Sequence, residues 1–201
     1  MRNFERLAIG VDIGPLKHSL RHQEGLWNQF KVRTWHPQSA HRVIDDVVLR
    51  YNEFNQGDDF LAKVCSELRV SNYPAWAALP QARQIIFDLM RRVEAEELGR
   101  VFISRMAPGV EIPLHSDRIA PAEEAFPDKI PPAWYYDRYH VLLQSEPGVV
   151  FTCGEESVQM LTGEVWWFNN EIPHSVVNNS AEDRISLVVD LRVGSPIYVP
   201  S

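Results

Sequence analysis

Residues 163–193 read GEVWWFNNEIPHSVVNNSAEDRISLVVDLRV, three short β-type runs (164–168, 173–178 and 184–193) parted by turn residues. In an extended strand, residues i and i+2 share a face. In the last run Arg184 and Ser186 therefore point one way, and Ile185, Leu187, Val189 and Leu191 the other. The chain reverses through Asn178-Asn179-Ser180, residue types that favour tight turns. His174 and Arg184 lie about equally far from that reversal, so they are expected to return to one level of the fold. A buried guanidinium there needs a partner, and it forks onto a carboxylate in bidentate fashion. A surface arginine at a strand start would fit the same letters.

Working backwards, the same grammar extends to about residue 101. Runs at 101–107, 111–115, 138–144, 148–153 and 157–161 alternate with Gly, Pro and Asn turns. Such spacing predicts an all-β sandwich or barrel. Upstream the pattern is helical. Residues 81–98 carry an apolar stripe of Ile85, Ile86, Leu89, Met90 and Val93, with Pro80 before it and Gly99 after it. Val43, Val47 and Tyr51 at four-residue spacing predict a second helix over 40–55, stopped at Gly57. Residues 1–38 read as short strands and turns. Helices followed by a barrel make an α+β, mainly β fold. No linker is visible, so residues 1–201 are expected to form a single domain, with 1–100 a helical and mixed region packing on a barrel of 101–193.

The chain has 201 residues and a formal net charge of −7. That balance argues against general nucleic-acid binding, which needs a basic face. No apolar run of membrane-spanning length and no signal pattern appears. The two cysteines, Cys65 and Cys153, make neither a disulfide framework nor a zinc motif, which fits a reducing, cytoplasmic setting.

Chemistry concentrates in the second half. His115 and Asp117 are two apart and can face one ion, and His174 can join them from a distant strand. Two histidines and a carboxylate on one octahedral face form the ligand set of non-haem Fe(II) oxygenases, with open positions for O2 and a co-substrate. By itself His-x-Asp also fits a hydrogen-bonded pair at a strand end. Arg138 and His140 share a face of the run that follows Tyr135-Tyr136-Asp137 and suit an anionic ligand. Equally, Arg138 could bridge to Asp137 or Glu146 with His140 simply packed. The stretch 118–137, with Trp134-Tyr135-Tyr136, is long enough for a substrate lid or a cap on the barrel end.

Taken in order, Ser104, Met106-Ala107-Pro108-Gly109, His115, Arg138-Tyr139-His140, Gly163 to Asn170, His174 and Arg184 resemble the aspartyl/asparaginyl β-hydroxylase family of Fe(II)- and 2-oxoglutarate-dependent dioxygenases. The resemblance covers roughly 101–192. It implies a double-stranded β-helix, a cupin-like jelly roll with buttressing helices. It also implies metal ligation by His115 and His174, and Arg184 and Ser104 on the distal carboxylate of 2-oxoglutarate. His140 falls near the chelating end of that co-substrate, and Arg138 on an acidic group of the substrate. Ser186 completes an Arg-x-Ser pattern found in other 2-oxoglutarate oxygenases. Asp117 departs from the family's best-known members, which carry glycine there and hold iron through two histidines. The expected activity is hydroxylation of an unactivated C–H bond in a small amino acid or in an Asp/Asn-type residue of a peptide or protein. A cupin-type metal enzyme without 2-oxoglutarate, and a non-catalytic cupin-like binding module, are the alternatives. Phe102, Trp166, Trp167 and Phe168 would supply dry walls to the site or plain core.

Overall fold

The computed structural model describes residues 2–37, 39–53, 70–117 and 136–194. Its elements, in chain order, are β1 (Phe4–Ala8), α1 (Gly14–Arg21), a short 3-10 turn (Glu24–Leu26), β2 (Asp45–Asn52), β3 (Val70–Asn72), α2 (Pro74–Ala78), α3 (Pro80–Arg92), β4 (Ala95–Met106), β5 (Glu111–His115), β6 (Asp137–Gln144), β7 (Val149–Cys153), β8 (Glu156–Val158), β9 (Val165–Phe168), β10 (His174–Asn178) and β11 (Arg184–Val193). A seven-stranded sheet runs β1-β9-β6-β11-β4-β2-β3, and a four-stranded sheet runs β5-β10-β7-β8. Neighbouring strands pair antiparallel. The helices pack on the outer face of the larger sheet and the smaller sheet on its inner face, as the two main core clusters show. This is the mainly β, double-stranded β-helix architecture with buttressing helices.

Strict alternation sorts the side chains of the larger sheet. Val47, Leu49, Val101, Ile103, Tyr139, Val141, Leu143, Leu187, Val189 and Leu191 face the helices and meet Leu16, Leu20, Ile85, Ile86 and Leu89. Their even-numbered neighbours face the smaller sheet, where Met106, Leu142 and Phe168 pack on Ile112, Phe151 and Val176. Each fully buried Leu or Phe of this kind contributes about 1.5–3 kcal/mol of transfer free energy. A one-residue slip in any central strand would exchange its two faces, so the register is firmly specified.

Three expectations are corrected. Residues 40–55 are not helical: 45–52 form β2, between β4 and β3. Val43 is exposed ahead of β2, and a register shift between Val48 and Arg50 puts Val47 and Tyr51 in different core clusters, so the four-residue rhythm marked no shared face. The helix expected over 81–98 ends at Arg92, and Glu94 takes a positive φ of 54° before β4 starts at Ala95. Gly99 is therefore no helix stop. It lies within β4, where a Cβ would come within 2.7 Å of the Tyr136 ring. Nor is the first half confined to buttressing: β1 pairs with β9, and β2 with β4, inside the larger sheet. Within 1–38 lies α1, which carries Pro in its first turn and buries Leu16 and Leu20.

Cys153 is a free, buried thiol, and burial, with Glu156 nearby, pushes its pKa up to about 12. Gly57, Cys65, Trp134, Tyr135 and most of the 118–137 stretch lie outside the described residues. No helix among the described residues is long and apolar enough to cross a membrane.

Candidate metal centre

β5 ends at His115 and β10 begins at His174, and the two residues are directly paired across the smaller sheet. Their ring centroids are 4.3 Å apart. His115 Nδ1 lies 2.8 Å from the Pro113 carbonyl and His174 Nδ1 lies 2.9 Å from the Ile172 carbonyl. A carbonyl can only accept, so Nδ1 of each ring carries a proton, which leaves Nε2 as the nitrogen able to turn to a metal. Metal-ligating histidines are characteristically oriented in this way. His115 Nε2 is buried without a hydrogen-bond partner. Burial, and then the neighbouring His174, lower the His115 pKa and keep that ring neutral.

Asp117, just past β5, closes the group. Its Oδ2 lies 3.8 Å from His174 Nε2 and 2.7 Å from Arg138 Nη1. Metal bonds of about 2.1 Å set neighbouring ligands roughly 3 Å apart, so a slight contraction would seat an ion. Burial alone would raise the Asp117 pKa, but Arg138, His174 and His115 together bring it below its ordinary range. His41 also enters the group: one ligand atom each from His41, His115 and Asp117 lie within 4.8 Å of one another. The structure thus gathers His41, which the sequence reading missed, with His115 and Asp117, while His174 borders that group through its Nε2, 3.8 Å from Asp117 Oδ2. His41 had no readable signal, because its segment was taken for a helix and reaches the site only through the placement of β2.

The inner face of the larger sheet forms the other wall. Ser186 is paired with Ser104 on one side, and the next residue of that face, Val188, is paired with His140 on the other. His140 Nδ1 lies 2.9 Å from Ser186 Oγ and 3.4 Å from Arg184 Nη2. A guanidinium can only donate, so Nδ1 of His140 accepts. Burial, and then Arg184 and Arg138, hold the His140 pKa well below its ordinary value.

Three arginines line this cavity with the histidines. Two are neutralised by aspartates. Arg33 Nε lies 2.7 Å from Asp46 Oδ2, and its guanidinium stacks 3.8 Å from the centre of the Phe102 ring. Arg138 grips Asp190 with two N–H groups at 2.7 and 2.9 Å and makes an ion pair with Asp117, whose Oδ2 has no hydrogen-bond partner. Its partners are thus Asp190 and Asp117, rather than Asp137 or Glu146. Ser104 Oγ donates to Asp46 at 3.0 Å. Arg184 differs from both. It is buried, its Nε has no partner, and no carboxylate pairs with it among the described residues. Burial alone lowers its pKa to about 10, so it remains a cation near neutrality.

The expected aromatic walls split by alternation. Phe102 and Phe168 line the cavity, whereas Trp167 packs under the helices. Trp166 Nε1 donates to Glu164 at 2.7 Å. Tyr136, just before β6, is buried against Gly99, and the rest of the loop expected to form a lid lies outside the described residues. Arg33, Asp46 and Asp190 were not foreseen either. Asp190 was within reach, since alternation along β11 places it on the face of Arg184 and Ser186.

A sequence profile described as aspartyl/asparaginyl beta-hydroxylase matches residues 11–193. Among solved structures, a Pseudomonas putida prolyl-4-hydroxylase superposes over 97% of this chain and 95% of its own, with a TM-score of 0.51 at 13% identity. A 2OG-Fe(II) oxygenase family oxidoreductase from Burkholderia pseudomallei covers 89% of this chain and 90% of its own, with a TM-score of 0.49 at 16% identity. A cupin domain from Bordetella pertussis covers 49% of this chain and 85% of its own, with a TM-score of 0.34 at 19% identity. At such identities the likeness is one of fold. No curated protein matches the sequence.

Proposed function

We propose that this chain, which belongs to the aspartyl/asparaginyl β-hydroxylase family, is an Fe(II)- and 2-oxoglutarate-dependent dioxygenase. It hydroxylates an unactivated C–H bond of an amino acid, or of an Asp/Asn-type residue in a peptide or protein, with O2 as co-substrate. The observation that carries this reading is Arg184, a buried cation with no carboxylate partner among the described residues, beside a cluster of imidazoles and a carboxylate. A buried charge without a partner is costly, so a site that keeps one is arranged for an anion that arrives from outside.

The donor set suits the implied metal. Neutral imidazoles with Nε2 turned inward, and a carboxylate held ionised, are what a ferrous ion requires. His115, Asp117 and His174 would hold it. Iron with 2-oxoglutarate and O2 supplies the oxidising power that no side chain possesses. The chain's own residues position and exclude. Arg184 forks onto the distal carboxylate of 2-oxoglutarate, and its reach from the metal group fixes that molecule's register. Ser104 and Ser186 stand on the same face as Arg184, and each would have to turn its hydroxyl proton from Asp46 or His140 to meet this carboxylate. His140, kept neutral, offers a hydrogen bond near the chelating end without adding charge. Arg138 holds Asp117 ionised and aimed inward, and through Asp117 it lies beside the place an acidic substrate group would occupy. Phe102, Phe151 and Phe168 keep water from the reacting atoms.

Charge supports the same reading. The guanidiniums of Arg33 and Arg138 and the carboxylates of Asp46, Asp117 and Asp190 leave one net negative charge, which Arg184 cancels. A dication and a dicarboxylate entering together preserve that neutrality.

His41 favours a second reading, a cupin-type metal enzyme that does not use 2-oxoglutarate, since such sites often recruit a further histidine. Succinate formation from 2-oxoglutarate with Fe(II), lost in His174→Ala, supports the dioxygenase. Metal-dependent activity that survives Arg184→Ala, with no affinity for 2-oxoglutarate, supports the second reading instead.

A further inference from the structure

The segment leading into β2 delivers a side chain that no motif in the chain announced. His41 Nδ1 is buried and has no hydrogen-bond partner. The ring stands edge-on to His115, with centroids 4.8 Å apart. One of its nitrogens lies within 4.8 Å of ligand atoms of both His115 and Asp117. It lines the same cavity as His174 and Arg184. A buried imidazole nitrogen facing nothing is an unmet demand, and structures seldom retain one without a ligand to answer it.

Asp117 sharpens the point. Its Oδ2 already lies 2.7 Å from Arg138 Nη1. A carboxylate oxygen shared with a guanidinium donates less charge to a metal than a free one. The centre therefore has reason to draw on another imidazole.

We infer that His41 is a protein ligand of the metal centre, giving a donor set of three imidazoles and one carboxylate: His41, His115, Asp117 and His174. The inference rests on the metal-binding part of the proposed function and is independent of 2-oxoglutarate. An octahedral ion held by four protein donors keeps two positions for outside ligands, one fewer than a chelating 2-oxo acid and O2 together need, so under the dioxygenase reading one of the four would have to give way when both co-substrates are present. The imidazole-rich set also shifts preference towards ions that favour nitrogen, such as Fe(II), Co(II) and Zn(II), over Mg(II) or Ca(II).

The test uses the full chain freed of metal. Co(II) is titrated by calorimetry and by visible absorption into the wild type and into His41→Ala. In parallel, Zn(II) is added to wild-type protein carrying 15N-labelled histidine. The expected results are a loss of about tenfold or more in Co(II) affinity with altered absorption bands in the variant. The NMR spectrum should show a ring-nitrogen shift for His41 together with those of His115 and His174. His41→Gln, which keeps the volume, replaces His41→Ala if the latter does not fold, and the labelled wild type needs no substitution at all. Equal affinity and bands in the variant, with the His41 nitrogens unmoved by Zn(II), would overturn the inference. If His41 responds to metal while the wild type fails to consume 2-oxoglutarate, the dioxygenase reading falls and this one stands. If turnover is intact and His41 is silent, only this one falls.

Discussion

The two faces of β11 are one residue apart and obey opposite rules. On one face Leu187, Val189 and Leu191 are fully buried against the helices and carry no polar atom beyond the backbone. On the other, Arg184, Ser186 and Asp190 are also buried: Ser186 opposes Ser104, Asp190 pairs with Arg138, and Arg184 opposes Met106 and reaches the His140 imidazole. The apolar face gains free energy from burial alone. The polar face must satisfy its groups, and it does so by pairing Arg138 with two aspartates while leaving Arg184 unmatched. The outer face therefore holds the fold, and the inner face is kept for binding at some cost in stability.

Substitutions on the two faces should separate these roles. The largest effect is expected for His174→Ala, or for His115→Ala on the neighbouring strand: a loss of Fe(II) affinity of more than about 100-fold with little change in the metal-free melting curve. Equal affinity in both variants would mean that metal sits elsewhere. Leu187→Ala should do the converse. It is expected to lower stability by about 2–5 kcal/mol in denaturant titrations, while molecules that remain folded bind metal normally. Weakened metal binding with full stability would erase the distinction between the faces.

Arg184→Met sharpens the contrast within the inner face. Replacing an unpaired buried cation by a chain of similar volume should leave the metal-free protein as stable as before, or more stable by up to about 1–4 kcal/mol. Binding of 2-oxoglutarate should be lost. A marked fall in stability would show that Arg184 is already satisfied.

The smallest effect concerns pH. His41, His115 and His140 all have pKa values held below the ordinary 6.5 by burial and nearby cations. Below about pH 6.5 the unfolded chain takes up protons that the folded chain refuses, so stability declines as pH falls. Each such histidine contributes a slope of up to about 1.4 kcal/mol per pH unit. Asp117, with a lowered carboxyl pKa, adds its loss only at more acid pH. Denaturant titrations of the metal-free protein between pH 5 and 7 should show this decline, shallower by about one histidine's share in His140→Asn. A slope unchanged by that substitution would place His140 in a solvated setting.

The sequence was most legible where alternation was strict. β5 and β11 fall on the residues expected, and the shared face of Arg184 and Ser186 follows from counting by two. It was least legible where spacing was ambiguous. The four-residue rhythm of Val43, Val47 and Tyr51 suggested a helix, yet in the strand a register shift separates Val47 from Tyr51, and with β2 went His41 and Asp46. Pairing across the sheet was equally hidden. That Arg138 would meet Asp190 depends on the register between β6 and β11, which no local pattern states. Arg33 comes from a turn region and is held at the cavity by Asp46, Ser104 and the Phe102 ring.

The most direct measurement is release of succinate from 2-oxoglutarate by the purified protein with Fe(II) and O2, in the wild type and in Arg184→Met side by side. A buried, unmatched guanidinium that exists to hold this co-substrate predicts succinate from the wild type and a background level from the variant, with the metal still bound in both. Wild-type protein that binds Fe(II) yet yields no succinate, or a variant that turns over as well as the wild type, would contradict it.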